Sequence, residues 1–310
     1  MKKKSANGYL CYNRINLSSI FLSIIVMGAL PGFADNQLIE KRPARLAIII
    51  DDIGYNLGNG RKIAELPIDI TLAVLPFTPH GKMLAEFGHQ QGKEIILHAP
   101  MSNEHHFPLG PGALTDDISQ PLMINILDKN LLNIPHVKGL NNHMGSQLTQ
   151  NSEIMGWLMT YLKTRQLYFI DSRTTAKTEA LNQAQAHQLP SRKRDVFLDD
   201  KRNIQHIRQQ LELAIKIAHK QDGAIAIGHP YPETLKVLNE LVVRNPRQVE
   251  LVLVSELLSN QTPHPTQEEP PFCPIDISYT PSMISPFVIE QYLKLPSSSH
   301  KNIEFVIKRI

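Results

Sequence analysis

The sequence predicts an α/β fold on a parallel sheet, either doubly wound or closed into a barrel. Apolar runs of strand length alternate along the chain with stretches of helical spacing. The runs are rich in β-branched residues with no polar alternation, the mark of strands buried on both faces. Most of them end in Asp, Asn or His, and parallel folds keep their ligand sites at the carboxyl ends of strands.

The first expected strand covers 45–51, where Leu46-Ala47-Ile48-Ile49-Ile50 runs into Asp51-Asp52. Strands follow at 69–75, 93–98 (ending in His98), 137–142 (leading into Asn141-Asn142-His143) and 167–171 (ending in Asp171). Three more are expected at 195–198 before Asp199-Asp200, at 223–228 before His229, and at 249–254. Helical spacing falls between them at 80–91, 119–133, 152–165, 204–221 and 232–244. Start signals support several of these helices: Asp117 or Ser119 ahead of Pro121, Asn151 or Ser152 with Glu153, and Pro232-Glu233.

Of the 310 residues, 42% are apolar, enough for a substantial core. The N-terminus has a basic start, an apolar stretch over about 15–30, and Gly32-Phe33-Ala34 ahead of Asp35. Residues 1–34 therefore read as a cleavable export signal, which predicts a periplasmic or secreted protein with no stable membrane span after cleavage. The formal charge of +3 includes Lys2, Lys3, Lys4 and Arg14 of that segment, and without them the chain is close to neutral. Neutrality argues against nucleic acid as a partner. Cys11 leaves with the signal, so Cys273 alone cannot form an internal disulfide. A polar lead at 35–44 precedes the folded region at 45–258, and from 259 to 310 the clustered prolines predict a linker and a disordered tail.

Gly54, Gly58 and Gly60 miss the spacing of a dinucleotide loop. For Asp51-Asp52, a phosphoryl-accepting aspartate of the dehalogenase type wants a second Asp two residues on, where Ile53 stands. A metal-dependent hydrolase fits the pair, one carboxylate binding the cation and the other acting as base. The plain alternative is capping of a helix after Gly54, which explains one Asp but not two. His98 and His143, each at a strand end, complete a two-His, one-carboxylate set with Asp52. His229, between Gly228 and Pro230, is a candidate general acid. Asp171 and Asp199 are candidates to orient a His or Arg, Asp200 reads as a helix cap, His105-His106 as a solvated pair and Trp157 as a core residue.

Five segments together resemble the divergent polysaccharide deacetylase family: Ile50-Asp51-Asp52-Ile53-Gly54-Tyr55, Leu97-His98-Ala99-Pro100-Met101, Asn141-Asn142-His143-Met144-Gly145-Ser146, Asp171-Ser172 and Ile227-Gly228-His229-Pro230. The resemblance covers about 45–258. It implies an irregular (β/α) barrel of about seven parallel strands, with Asp51 as base, His229 as acid, and Asp52 and His98 as metal ligands. The classical second histidine falls on Met101 or Ser102 here, so His143 must supply that ligand from the next strand. The classical Arg-Pro-Pro-Tyr segment is missing, replaced by the turn Asn142-His143-Met144-Gly145, and Asn142 joins Asp171 and Asp199 as supporting residues. The activity implied is metal-dependent, expectedly zinc-dependent, removal of N-acetyl groups from a cell-wall or envelope glycan. The alternative is a barrel that binds glycan or an envelope partner without turnover.

Overall fold

The computed structural model describes residues 43–221, 223–244 and 249–259. The expected export signal at 1–34, the expected tail beyond residue 259 and both cysteines lie outside these residues.

In chain order the elements are β1 (Ala44–Ile53), α1 (Leu57–Ala64), β2 (Thr71–Val74), α2 (Gly81–Gln90), β3 (Glu94–Met101), α3 (Gln120–Asn133), β4 (Val137–Met144), α4 (Ser152–Thr164) and β5 (Tyr168–Asp171). They continue with α5 (Ala180–Ala186), β6 (Ser191–Lys193), β7 (Val196–Phe197), α6 (Ile204–Gln221), β8 (Ala224–Gly228), α7 (Pro232–Arg244), β9 (Val249–Val252) and α8 (Val254–Ser259). Every strand pairing is parallel. The expected strands and long helices are present. The sequence signals did not reveal α1, α5, β6 or α8.

The sheet order is β6-β5-β4-β3-β2-β1-β8-β7. Its two end strands are consecutive in the chain, joined only by Arg194-Asp195. That link spans roughly 11 Å at most, whereas eight flat strands would hold the ends about 34 Å apart. The sheet must therefore curl round on itself, and the result is a barrel with a seam between β6 and β7. The sheet holds nine strands rather than about seven: the two end strands are short pieces of three and two residues, and β9 pairs with β1 outside the main order. β1 is the most heavily paired strand: β8 lies along one edge, while β9 beside its first half and β2 beside its second half share the other.

Strand alternation sorts the side chains into two buried layers. Ala47, Ile49, Ala73, Ile96, Ile170, Ile225 and Ile227 fill the barrel interior. Leu46, Ile48, Ile50, Leu97, Leu140, Phe169 and Leu198 face outward under the helices. Continuing the inward phase to the strand ends brings Asp51, His98, Asn141, His143, Asp199 and His229 over one mouth. The outward phase carries Asn142 and Asp171 away from it.

Helix caps also differ from two expectations. Asn56, not the acidic pair, caps α1 by accepting the Asn59 N–H at 2.9 Å. Asn203 caps α6 by accepting the N–H groups of Gln205 and His206, while Asp200 instead meets His206 Nε2 at 2.6 Å. Trp157 packs half-buried against the outer core, and His105-His106 lie on the surface.

Candidate active site

Asp51 follows the inward phase of β1, so regular alternation would send Asp52 out among the helices. It does not go there. Asp52 adopts φ +55°, a left-handed conformation uncommon outside glycine, and the β1–β2 register shifts between Ile50 and Ile53. This bulge turns two successive carboxylates toward the same mouth. Gly54 makes room for the turn: at φ +143° its missing Cβ would lie 2.0 Å from Thr78 Oγ1.

Asp52 Oδ1 lies 2.9 Å from His143 Nδ1 and 3.3 Å from His98 Nε2, and those two nitrogens are 3.1 Å apart. The three residues offer ligand atoms that all fall within 4.8 Å of one another. Asp52 Oδ1 is buried, yet neither contact gives it a hydrogen bond of proper geometry. A buried carboxylate oxygen without such a bond, facing two imidazole nitrogens, is a donor set suited to a divalent cation. Burial alone would raise the Asp52 pKa, but the contacts and charges of His143 and His98 hold it well below the usual carboxylate range.

Asn141 ties this set to Asp51. Its Nδ2 donates to Asp51 Oδ1 at 2.8 Å, and its Oδ1 accepts from His98 Nδ1 at 2.8 Å. That second bond places the His98 proton on Nδ1 and leaves the Nε2 lone pair facing Asp52 and His143, the tautomer a metal ligand needs. Burial of Asp51 pushes its pKa above the ordinary carboxylate value, with His98, His229 and the Asn141 bond pulling the other way.

His229 enters from β8 on the opposite side. Its Nδ1 meets Asp199 Oδ1 at 2.9 Å and its backbone N–H donates to Asp199 Oδ2 at 2.7 Å, which leaves Nε2 toward the mouth, 3.7 Å from Asp52 Oδ2. Thr234 Oγ1 also donates to Asp199 Oδ2, at 2.6 Å. Burial opposes protonation of His229, but the Asp199 bond and the surrounding carboxylates push its pKa up to about 9. These partners favour the protonated imidazole, the form that can donate a proton. It stacks on Tyr231 at 5.3 Å and meets Phe197 at 5.5 Å.

The fold thus gathers Asp51, Asp52, His98, His143, Asp199 and His229. It does not bring Asp171 to a histidine. The Asp171 carboxylate accepts Arg173 N–H and Thr178 Oγ1 and shapes the turn after β5. Asn142 acts from behind: it donates to Met144 O, accepts Ser172 N–H, and so fixes the backbone on either side of His143.

Three contributors had no separate signal in the sequence. Asn141 was hidden in a run of polar residues, and Thr234 lies inside a helix. Arg194 sits in the seam link, where it donates to Ser172 O and Arg173 O and lies 4.9 Å over the Phe197 ring, bracing the wall beside His229.

A family model for divergent polysaccharide deacetylases matches residues 48–258. An uncharacterized protein of Escherichia coli (strain K12), YibQ, is 39% identical over 215 residues, 69% of this chain and 67% of its own. An uncharacterized protein of Haemophilus influenzae is 34% identical over 218 residues, 70% of this chain and 78% of its own. The crystal structure of an uncharacterized protein from Agrobacterium tumefaciens C58 shares the fold at TM-score 0.67 and 22% identity, over 70% of this chain and 90% of that one. With the family pattern matched across the whole barrel and its strand-end carboxylates and histidines gathered at one mouth, the chain belongs to the divergent polysaccharide deacetylase family.

Proposed function

We propose that this protein is an exported, metal-dependent hydrolase that removes N-acetyl groups from a cell-wall or envelope glycan. The observation that carries the reading is the convergence of Asp52, His98 and His143 between a buried carboxylate, Asp51, and a protonated imidazole, His229.

Asp52, His98 and His143 would hold the cation, and two neutral imidazoles with one carboxylate suit zinc. When bound, a divalent cation supplies Lewis acidity that polarises an amide carbonyl and lowers the pKa of water. Asp51, anchored by Asn141, accepts a proton from the water as its oxygen adds to the carbonyl carbon. Its raised pKa brings it closer to the working pH, where a general base is most effective. His229 gives its Nε2 proton to the amide nitrogen as the C–N bond breaks, so acetate and a free amine leave. Asp199 keeps the His229 ring turned for that transfer and stabilises its charge.

The basic start and apolar stretch that lead us to expect an export signal at 1–34 are the support for a periplasmic or secreted site of action, where such a glycan is accessible. Metal content and acetate release from acetylated cell-wall fragments, measured on one preparation purified without an affinity tag, test the proposal. One cation per chain with chelator-sensitive acetate release is expected. Full metal loading without release from any such glycan would hand the barrel to the binding-module reading.

A further inference from the structure

The His229 imidazole touches two aromatic rings that no step of the proposed reaction uses. Tyr231 stacks on it with the ring planes 27° apart, and Phe197 leans against it at 48°. Each of these rings is in turn covered by an arginine: the Arg202 guanidinium lies 4.4 Å over Tyr231, and that of Arg194 lies 4.9 Å over Phe197. Such cation–ring and ring–ring contacts are attractive. Arg202, Tyr231, His229, Phe197 and Arg194 thus form a run of planar groups in contact, with the imidazole at its centre.

The backbone delivers Tyr231 to this place by a tight turn. Tyr231 N–H donates to His229 O at 2.7 Å across Pro230, whose own ring fixes its φ. Asn59 Nδ2 donates to Pro230 O at 2.8 Å, and Tyr231 O accepts Leu235 N–H as α7 begins. The tyrosine is therefore anchored by the turn before it and by the helix after it. Glu233, in the first turn of the same helix, holds Arg202 over the ring at 3.2 Å. Phe197 arrives two residues before Asp199, and both side chains reach the same imidazole.

The Asp199 bond alone leaves the tilt of the imidazole open. The outer torsion of a histidine side chain is broad, and a hydrogen bond tolerates tens of degrees of misalignment. A ring laid nearly parallel against the imidazole removes that freedom. We propose that Tyr231 is a positioning residue for the general acid: its ring fixes the tilt of His229 so that Nε2 faces the reacting amide nitrogen. That the proton goes to an amide nitrogen rests on the deacetylase reading, whereas the fixing of the imidazole does not. The ring makes the contacts with His229 and Arg202, so the hydroxyl has no part in this role.

Tyr231→Phe keeps the ring, and Tyr231→Leu replaces it with an aliphatic group; thermal melts check that both fold. In metal-free protein at about pH 5.5, below the ordinary histidine pKa, the imidazole is protonated in every variant. The His229 ring-proton resonances, assigned with His229→Gln, should sit upfield in wild type and Tyr231→Phe, shielded by the stacked ring, and return toward ordinary positions in Tyr231→Leu. With zinc-loaded protein and acetylated cell-wall fragments, kcat for acetate release should fall about tenfold or more in Tyr231→Leu, with KM and metal content unchanged, and recover in Tyr231→Phe. An unshifted His229 ring in wild type overturns the proposal whatever the variants do, even if Tyr231→Leu fails to fold. Wild-type kcat in Tyr231→Leu also overturns it. A raised KM with unchanged kcat makes Tyr231 a substrate contact instead, and lost activity in Tyr231→Phe puts the hydroxyl in the chemistry; either overturns it too. If wild type releases no acetate while the upfield shift is present and vanishes in Tyr231→Leu, the deacetylase reading fails and the fixing of the imidazole stands.

Discussion

Asp199 meets His229 twice, accepting its backbone N–H through one carboxylate oxygen and its ring Nδ1 through the other. The pair fixes ring orientation and proton affinity together. In metal-free protein the His229 imidazole is expected to titrate near 9, and in Asp199→Asn it should fall toward the ordinary 6.5. Because folding raises this pKa, the stabilisation from protonated His229 is complete below 6.5 and is lost as pH rises through about 9. NMR titration, with the resonance assigned by His229→Gln, checks the first point. Thermal melts of metal-free protein from pH 6 to 10 check the second. An unchanged titration in Asp199→Asn would sink the assigned coupling.

Asp51→Asn preserves shape and removes the proton acceptor. Metal content should stay at the wild-type level while acetate release falls by about a hundredfold or more. Loss of metal in this variant would mean that Asp51 is a ligand and that its division of labour with Asp52 is wrong.

Asp52→Ala, His98→Ala and His143→Ala should each lose most bound metal, read by elemental analysis after dialysis. Asn141→Leu leaves all three ligands in place but frees the His98 tautomer. Its metal affinity is expected to drop by about 10- to 100-fold. Wild-type affinity in Asn141→Leu would show that the ring needs no such support.

Gly54→Ala places a Cβ against Thr78 in a backbone conformation that L-residues avoid. A loss of about 2 kcal/mol or more in denaturant unfolding is expected, together with weaker metal binding because Asp52 lies in the same turn. Gly54→Ala/Thr78→Ala should recover part of the stability.

The strands and their polar ends were legible in the sequence because long β-branched runs have few alternative structures, and the barrel followed from the family pattern. The short elements were not legible. α1 carries Gly58 and Gly60, which blur its periodicity, and β6 is a three-residue strand. At the site, simple alternation separates Asp199 and His229 from Asp171, so the phase of each strand decides which polar end faces the mouth. Asp52 defies that phase through its left-handed turn, a local feature that no periodicity encodes. The role of Asn141 depends on a neighbour 90 positions away, Asp51, and became visible only when the two strands were brought together.

Because β1 is bonded to three other strands, its amides around Ile48–Ile50 can exchange with solvent only when the whole barrel opens. The two carboxylates at its end are therefore carried by the last part of the molecule to loosen. Heating or denaturant should disturb the loop walls before it separates Asp51 from Asp52. Deuterium uptake in the 102–118 segment would then run ahead of uptake in β1, and the spacing of the two carboxylates would outlast the order of the walls around them.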